Sequence, residues 1–146
     1  MSDFRTVTDT VLASPQIELA DVAAAKAQGV TLIVNNRPEG ESPDQVPGDD
    51  IAAAARAAGI EYVAIPVTHA GFSQAQVDAM AAALAAAEGK VLAYCRSGTR
   101  STLLWALAEA SRGRDPGEIA ADAAGAGYDV SPIATMLSML AARAES

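Results

Sequence analysis

The sequence holds a single cysteine and a single histidine in 146 residues. A lone cysteine excludes an internal disulfide and gives no sign of an oxidising compartment. With only one histidine beside it, the usual zinc constellations are excluded as well, and neither a metal nor a cofactor is expected. Aromatic residues are scarce: Trp105, three tyrosines and two phenylalanines. Cations are scarce too, ten Lys and Arg against eighteen acids for a net charge of −8. They are scattered, so there is no basic stripe for nucleic acid. Apolar runs are short and interrupted, and Met1-Ser2-Asp3-Phe4-Arg5 lacks a signal-like apolar core. The expectation is a cytoplasmic protein without membrane insertion.

What the sequence does have is alanine, which makes up much of its 51% hydrophobic content. Alanine favours helix and close packing but buries little area per residue. One domain spanning 1–146 is expected, with an alanine-rich helical shell around a small sheet of larger aliphatic residues.

Strand-like and helix-like segments alternate. Val11-Leu12-Ala13 reads as a short strand, Glu18 to Gln28 as a helix stopped by Gly29, and Val30 to Val34 as an apolar strand broken by Asn35-Asn36-Arg37-Pro38. The stretch from Glu39 to Asp49, rich in Pro, Gly and acid, reads as a solvated loop able to act as a lid. Asp49 or Asp50 can cap a helix running to Ala58. Ile60 to Val67 reads as the next strand. Ser73 and Gln76 form a capping box for a helix to Glu88, and Lys90 to Tyr94 is a fourth strand. A helix from about Thr99 to Arg112 follows, then helices near Pro116–Ala126 and Pro132–Ala144. Apolar, barely alternating strands separated by helices indicate an α/β fold with a mostly parallel sheet of four or five strands and a C-terminal helical segment. Ligands of such sheets bind at the carboxyl ends of strands, where Asn35-Asn36-Arg37, Thr68-His69 and the segment after Tyr94 all fall.

That last segment, Cys95-Arg96-Ser97-Gly98-Thr99-Arg100-Ser101, carries the chemistry. Backbone amides from Arg96 to Arg100 can curl around a common centre, and the helix N-terminus adds partial positive charge. Gly98 permits the backbone angles such a nest needs. Arg100 can return over the mouth to grip two oxygens of an oxyanion. The same field favours a thiolate at Cys95. Arg96, Ser97, Thr99 and Ser101 complete the anion-binding loop, and the Ser101 hydroxyl can donate to the sulfur. A lone cysteine after a buried strand is otherwise a small core hydrophobe, but two arginines, a glycine and flanking hydroxyls favour a nucleophile.

The loop resembles the active-site loop of rhodanese-type sulfurtransferases and the protein tyrosine phosphatase signature. With Val11 to Ile17, Asn35 to Glu41, Ile65-Pro66-Val67 and Tyr94 through Trp105, the chain resembles the small bacterial family of beta-lactamase-hydrolase-like, phosphatase-like domains, whose members are also called sulfur transferases. The resemblance implies a tyrosine-phosphatase-like fold with the cysteine loop between the central strand and the next helix.

Two departures separate the chemistries. Phosphatases of this fold place five residues between cysteine and arginine, whereas four separate Cys95 from Arg100, as in most rhodaneses. They also carry an aspartate after the strand that ends in Ile65-Pro66-Val67, where this chain reads Thr68-His69-Ala70-Gly71-Phe72, with Asp78 further on. On these grounds the sequence favours a sulfurtransferase working through a Cys95 persulfide, with a small sulfur donor or oxyanion as substrate and a thiol as acceptor. A cysteine-dependent phosphatase is the alternative, and a non-catalytic oxyanion or redox-sensing module the third. Asn36, Arg37 and His69 are candidates for the pocket mouth. Each also has a plainer role: Asn36 turning the backbone, Arg37 pairing with Glu39 or Glu41, His69 making a structural hydrogen bond. Trp105 reads as core, and a homo-oligomer is left open.

Overall fold

The computed structural model describes residues 2–144. Strand β1 (Arg5–Thr8) turns back antiparallel onto β2 (Val11–Ser14). Helix α1 (Leu19–Ala27) leads to β3 (Val30–Asn35), and α2 (Gly48–Ala57) to β4 (Glu61–Ala64). Helix α3 (Gln74–Ala86) precedes β5 (Lys90–Tyr94), after which α4 (Thr99–Ser111) begins. The chain finishes with α5 (Pro116–Gly125), a 3-10 turn (Ser131–Ile133) and α6 (Ala134–Ala144). The strand order is β1-β2-β5-β3-β4, with every pair except β1–β2 parallel.

Strand β5 is central, and its residues alternate between two apolar layers. Val91 and Ala93 join Val34, Leu104, Trp105 and Leu107 beneath the helices from α3 onward. Leu92 and Tyr94 join Leu12, Ile33, Val22 and Ile51 beneath α1 and α2. Burial on both faces is why these strands show so little polar alternation. Trp105 is 1% exposed in the first layer, a core residue as its position suggested. No described helix is long and apolar enough to cross a membrane.

Several boundaries differ from expectation, each for a local reason. Strand β1 was not anticipated: of its four residues only Val7 is buried, too little apolar pattern to read. Helix α2 is preceded by Pro47, and Asp49 and Asp50 lie in its first turn without capping it through a side chain. There they still face the positive end of the helix. Strand β4 stops at Ala64, before Pro66, although Ile65 and Val67 donate their amides to the carbonyls of Asn35 and Asn36 and prolong the pairing. Helix α3 ends at Ala86, followed by an extended Ala87 rather than continuing to Glu88. Its N-terminus has the expected capping box, with Gln76 N–H donating to Ser73 Oγ at 3.2 Å.

Candidate active site

The cysteine loop leaves the carboxyl end of the central strand and enters α4 directly. Cys95 is fully buried, and its amide donates to the Ser14 carbonyl of β2 at 3.3 Å. The Gly98 amide donates to Cys95 Sγ at 3.1 Å. Gly98 makes this inward turn at φ +92°, a region that side chains disfavour. A Cβ at that position would also collide with the Tyr128 hydroxyl. The sulfur therefore accepts from one loop amide, with the N-terminus of α4 beside it.

Arg100 meets an acid that the sequence showed only as a possible partner of Arg37. Its Nη1 donates to Glu41 Oε2 at 2.7 Å and its Nη2 to Glu41 Oε1 at 2.9 Å, while Nη1 also reaches the Val67 carbonyl at 2.7 Å. This pair uses the end-on edge of the guanidinium. The edge made by Nε and Nη2 lies outside it and has the geometry to grip two oxygens. The Arg100 pKa is raised, first by the hydrogen bond to Glu41 and further by the nearby Cys95. Glu41 is held down to about 2, chiefly by Arg100, with burial opposing and Arg37 assisting. It is an anion throughout the neutral range and has no proton to give.

Arg37 is buried, with 4% of its side chain exposed. Its Nε donates to Glu41 Oε1 at 2.9 Å, its Nη1 to Gln16 Oε1 at 2.9 Å and its Nη2 to Ser42 Oγ at 3.2 Å. Rather than lining an open mouth, it ties the 39–47 loop to the segment after β2. That loop is fastened internally as well: Gln45 bridges the Glu41 amide and the Pro38 carbonyl, and Glu39 accepts from the Gly48 amide at 2.7 Å. The acidic loop is therefore built into the site, not merely solvated.

Asn36 is fully buried, which also removes it from a pocket mouth. Its Nδ2 donates to the Ile65 carbonyl at 2.9 Å, and its Oδ1 accepts from Ser101 Oγ at 2.8 Å. Ser101 thus spends its hydroxyl on Asn36, locking the first turn of α4 to the ends of β3 and β4. Asn35 turns the backbone, its Oδ1 accepting from the Arg37 amide.

The exposed rim consists of Arg96, Ser97 and Thr99, with Ser97 Oγ and Thr99 Oγ1 3.0 Å apart. His69 is exposed on the loop after β4. Asp78 is exposed on α3, accepting from Gln74 at 2.8 Å. The structure therefore gathers Cys95, Gly98, Arg100, Ser101, Asn36 and Arg37 into one connected cluster and leaves His69 at the surface. Three contributors escaped the sequence-based candidates: Glu41, Gln16 and Tyr128. Gln16 lies one residue past Pro15 at a strand end and offered a weak signal; it also donates its amide to the Arg96 carbonyl at 3.2 Å.

Comparison with known proteins agrees with this architecture. A family model described as "Beta-lactamase hydrolase-like protein, phosphatase-like domain" matches residues 3–112. The beta-lactamase hydrolase-like protein of Agrobacterium fabrum is 41% identical over 105 residues, which are 72% of this chain and 24% of that protein. The chain thus spans about a quarter of the length of this curated relative. A crystal structure of a candidate phosphatase from Neisseria meningitidis superimposes with TM-score 0.83 at 29% identity, covering 96% of this chain and 99% of that one. TpbA of P. aeruginosa shares the fold, with TM-score 0.70 at 18% identity and coverage of 99% and 92%.

Proposed function

The chain belongs to the phosphatase-like domain family of the beta-lactamase hydrolase-like proteins, and from that premise we propose that it is a cysteine-dependent phosphoric monoester hydrolase. The observation that carries this is the Gly98 amide aimed at the buried Cys95 sulfur, with Arg100 close beside it. In a tyrosine-phosphatase-like fold that arrangement suits an in-line attack on phosphorus. The Cys95 thiolate forms the S–P bond as the P–O bond to the leaving group breaks, giving a phosphocysteine and an alkoxide or phenolate. Water then attacks phosphorus and releases inorganic phosphate, returning the electron pair to sulfur. The loop amides and the side-on edge of Arg100 stabilise charge on the equatorial oxygens.

Proton supply shapes the substrate class. The loop from Thr68 to Phe72 contains no carboxylate, and Glu41 is an anion held by two arginines. A substrate whose leaving group departs without protonation is favoured, which selects aryl phosphates over alkyl phosphates. The test is hydrolysis of an aryl phosphate by the wild-type chain and by Cys95→Ser. Turnover abolished by the substitution is expected, and no turnover across a panel of phosphomonoesters would remove the proposal.

Sulfur transfer remains the second reading, favoured by one specific observation, the four-residue spacing between Cys95 and Arg100. In that chemistry Cys95 attacks the outer sulfur of a donor such as thiosulfate, sulfite leaves as an anion, and an acceptor thiol discharges the persulfide. No general acid is needed. Thiocyanate formed from thiosulfate and cyanide, without phosphomonoester turnover, would favour it.

A further inference from the structure

The family match ends at residue 112, yet the C-terminal segment reaches back into the cysteine loop. Tyr128, between α5 and the 3-10 turn, is 7% exposed, and its hydroxyl donates to the Ser97 carbonyl at 3.2 Å. The Arg5 guanidinium lies over its ring, 5.3 Å from the centroid. Burial raises the Tyr128 pKa although Arg5 opposes it, so the phenol keeps its proton in the neutral range.

The Ser97 carbonyl and the Gly98 amide are two ends of one planar trans peptide, and they point in opposite directions. One end of that peptide accepts from Tyr128, and the other donates to Cys95 Sγ at 3.1 Å. Its C-terminal side is glycine, the residue most tolerant of a rotated peptide plane. A hydrogen bond on the carbonyl both fixes the plane and polarises the N–H at its far end.

We propose that Tyr128 is a positioning residue of the active site, its hydroxyl holding the Ser97–Gly98 peptide with the N–H turned toward the reacting sulfur. The proposal rests on Cys95 as the nucleophile, and not on whether phosphorus or sulfur is attacked. The charged groups around this unit are Arg96 and Arg100 of the loop and α4, Glu41 and Arg37 from beyond β3, Arg5 on β1, and Asp3, which pairs with Arg5. Tyr128→Phe leaves all of them in place and keeps a ring beneath Arg5.

The test is the pH profile of Cys95 alkylation by iodoacetamide in the wild-type chain and in Tyr128→Phe, with thermal melts of both. Loss of one neutral hydrogen bond predicts a profile displaced to higher pH by roughly half to one unit. At a fixed pH on the rising limb of the profile, alkylation should fall about three- to tenfold while the fold is retained. An unchanged profile would overturn the proposal, even with a lowered melting temperature, because a packing role alone moves only the melt. A second measurement does not depend on the variant folding. In the wild-type chain, the Gly98 amide and Tyr128 ring resonances should shift together as the Cys95 thiol titrates; a Tyr128 ring that stays fixed while Gly98 moves would contradict it. Both readouts are independent of turnover, so an inactive wild-type chain would count against the proposed function and leave Tyr128 to be judged by its own result.

Discussion

Arg100 and Glu41 face one another through two hydrogen bonds, at 2.7 and 2.9 Å, although 59 residues separate them in the chain. The contact joins the helix that begins at the nucleophile loop to the acidic loop beyond β3. Because Glu41 also accepts from Arg37, one carboxylate aims one arginine and anchors another. Their side chains are only 14% and 4% exposed, and Glu41 itself 16%.

Glu41→Gln should therefore unsettle both arginines together. Removing one partner of a fully buried pair costs roughly 3–5 kcal/mol, and partial exposure here lowers the expectation to about 2–3 kcal/mol. Urea unfolding measures this loss, and kcat/KM should fall about tenfold as Arg100 loses its alignment.

The same carboxylate predicts an acid-sensitive step. Its folded pKa, about 2, lies below the ordinary value of 4.5. Its stabilising contribution is therefore complete above pH 4.5 and is lost as pH falls through that window toward 2. Acid titration followed by circular dichroism should show the wild-type chain losing stability across this range, with Glu41→Gln showing a weaker dependence.

Gly98→Ala meets two obstacles at once. The residue sits at φ +92°, and the added Cβ collides with the Tyr128 hydroxyl. A loss of about 2–3 kcal/mol is expected, together with loss of oxyanion binding by calorimetry. Adding Tyr128→Ala should return only part of the stability, because it relieves the collision and not the backbone strain.

Much of this site was legible because its chemistry is local in sequence. The run from Cys95 to Ser101 follows an apolar strand and opens a helix, so the strand-to-helix turn at the cysteine could be inferred from neighbouring residues alone. The parallel sheet was legible because β3 and β5 are buried on both faces. Glu41 was hidden because a glutamate in an acidic, Pro-rich loop looks solvated until the fold brings Arg100 to it. Tyr128 was hidden for the same reason, lying 31 residues from the carbonyl it contacts. The partner of Ser101 could not be read from the sequence: Asn36 lies 65 residues away on another strand end. Strand β1 left too little apolar pattern, with Val7 its one buried residue.

The absence of a carboxylate between Thr68 and Phe72 predicts a steep dependence on the leaving group. General acid catalysis contributes roughly 10²–10⁴-fold where it operates. An alkyl phosphate should therefore react slower than an aryl phosphate by a factor of that order, measured as kcat/KM. His69→Ala should leave the aryl rate unchanged, since that side chain is exposed on the loop.

The most direct test of the account is intact-mass spectrometry of the wild-type chain, acid-quenched during turnover of an aryl phosphate and followed by peptide mapping. The account predicts a phosphoryl adduct on Cys95 that is absent from Cys95→Ser. Turnover without any such adduct, or an inert phosphate alongside a sulfur adduct on Cys95 from thiosulfate, would contradict it.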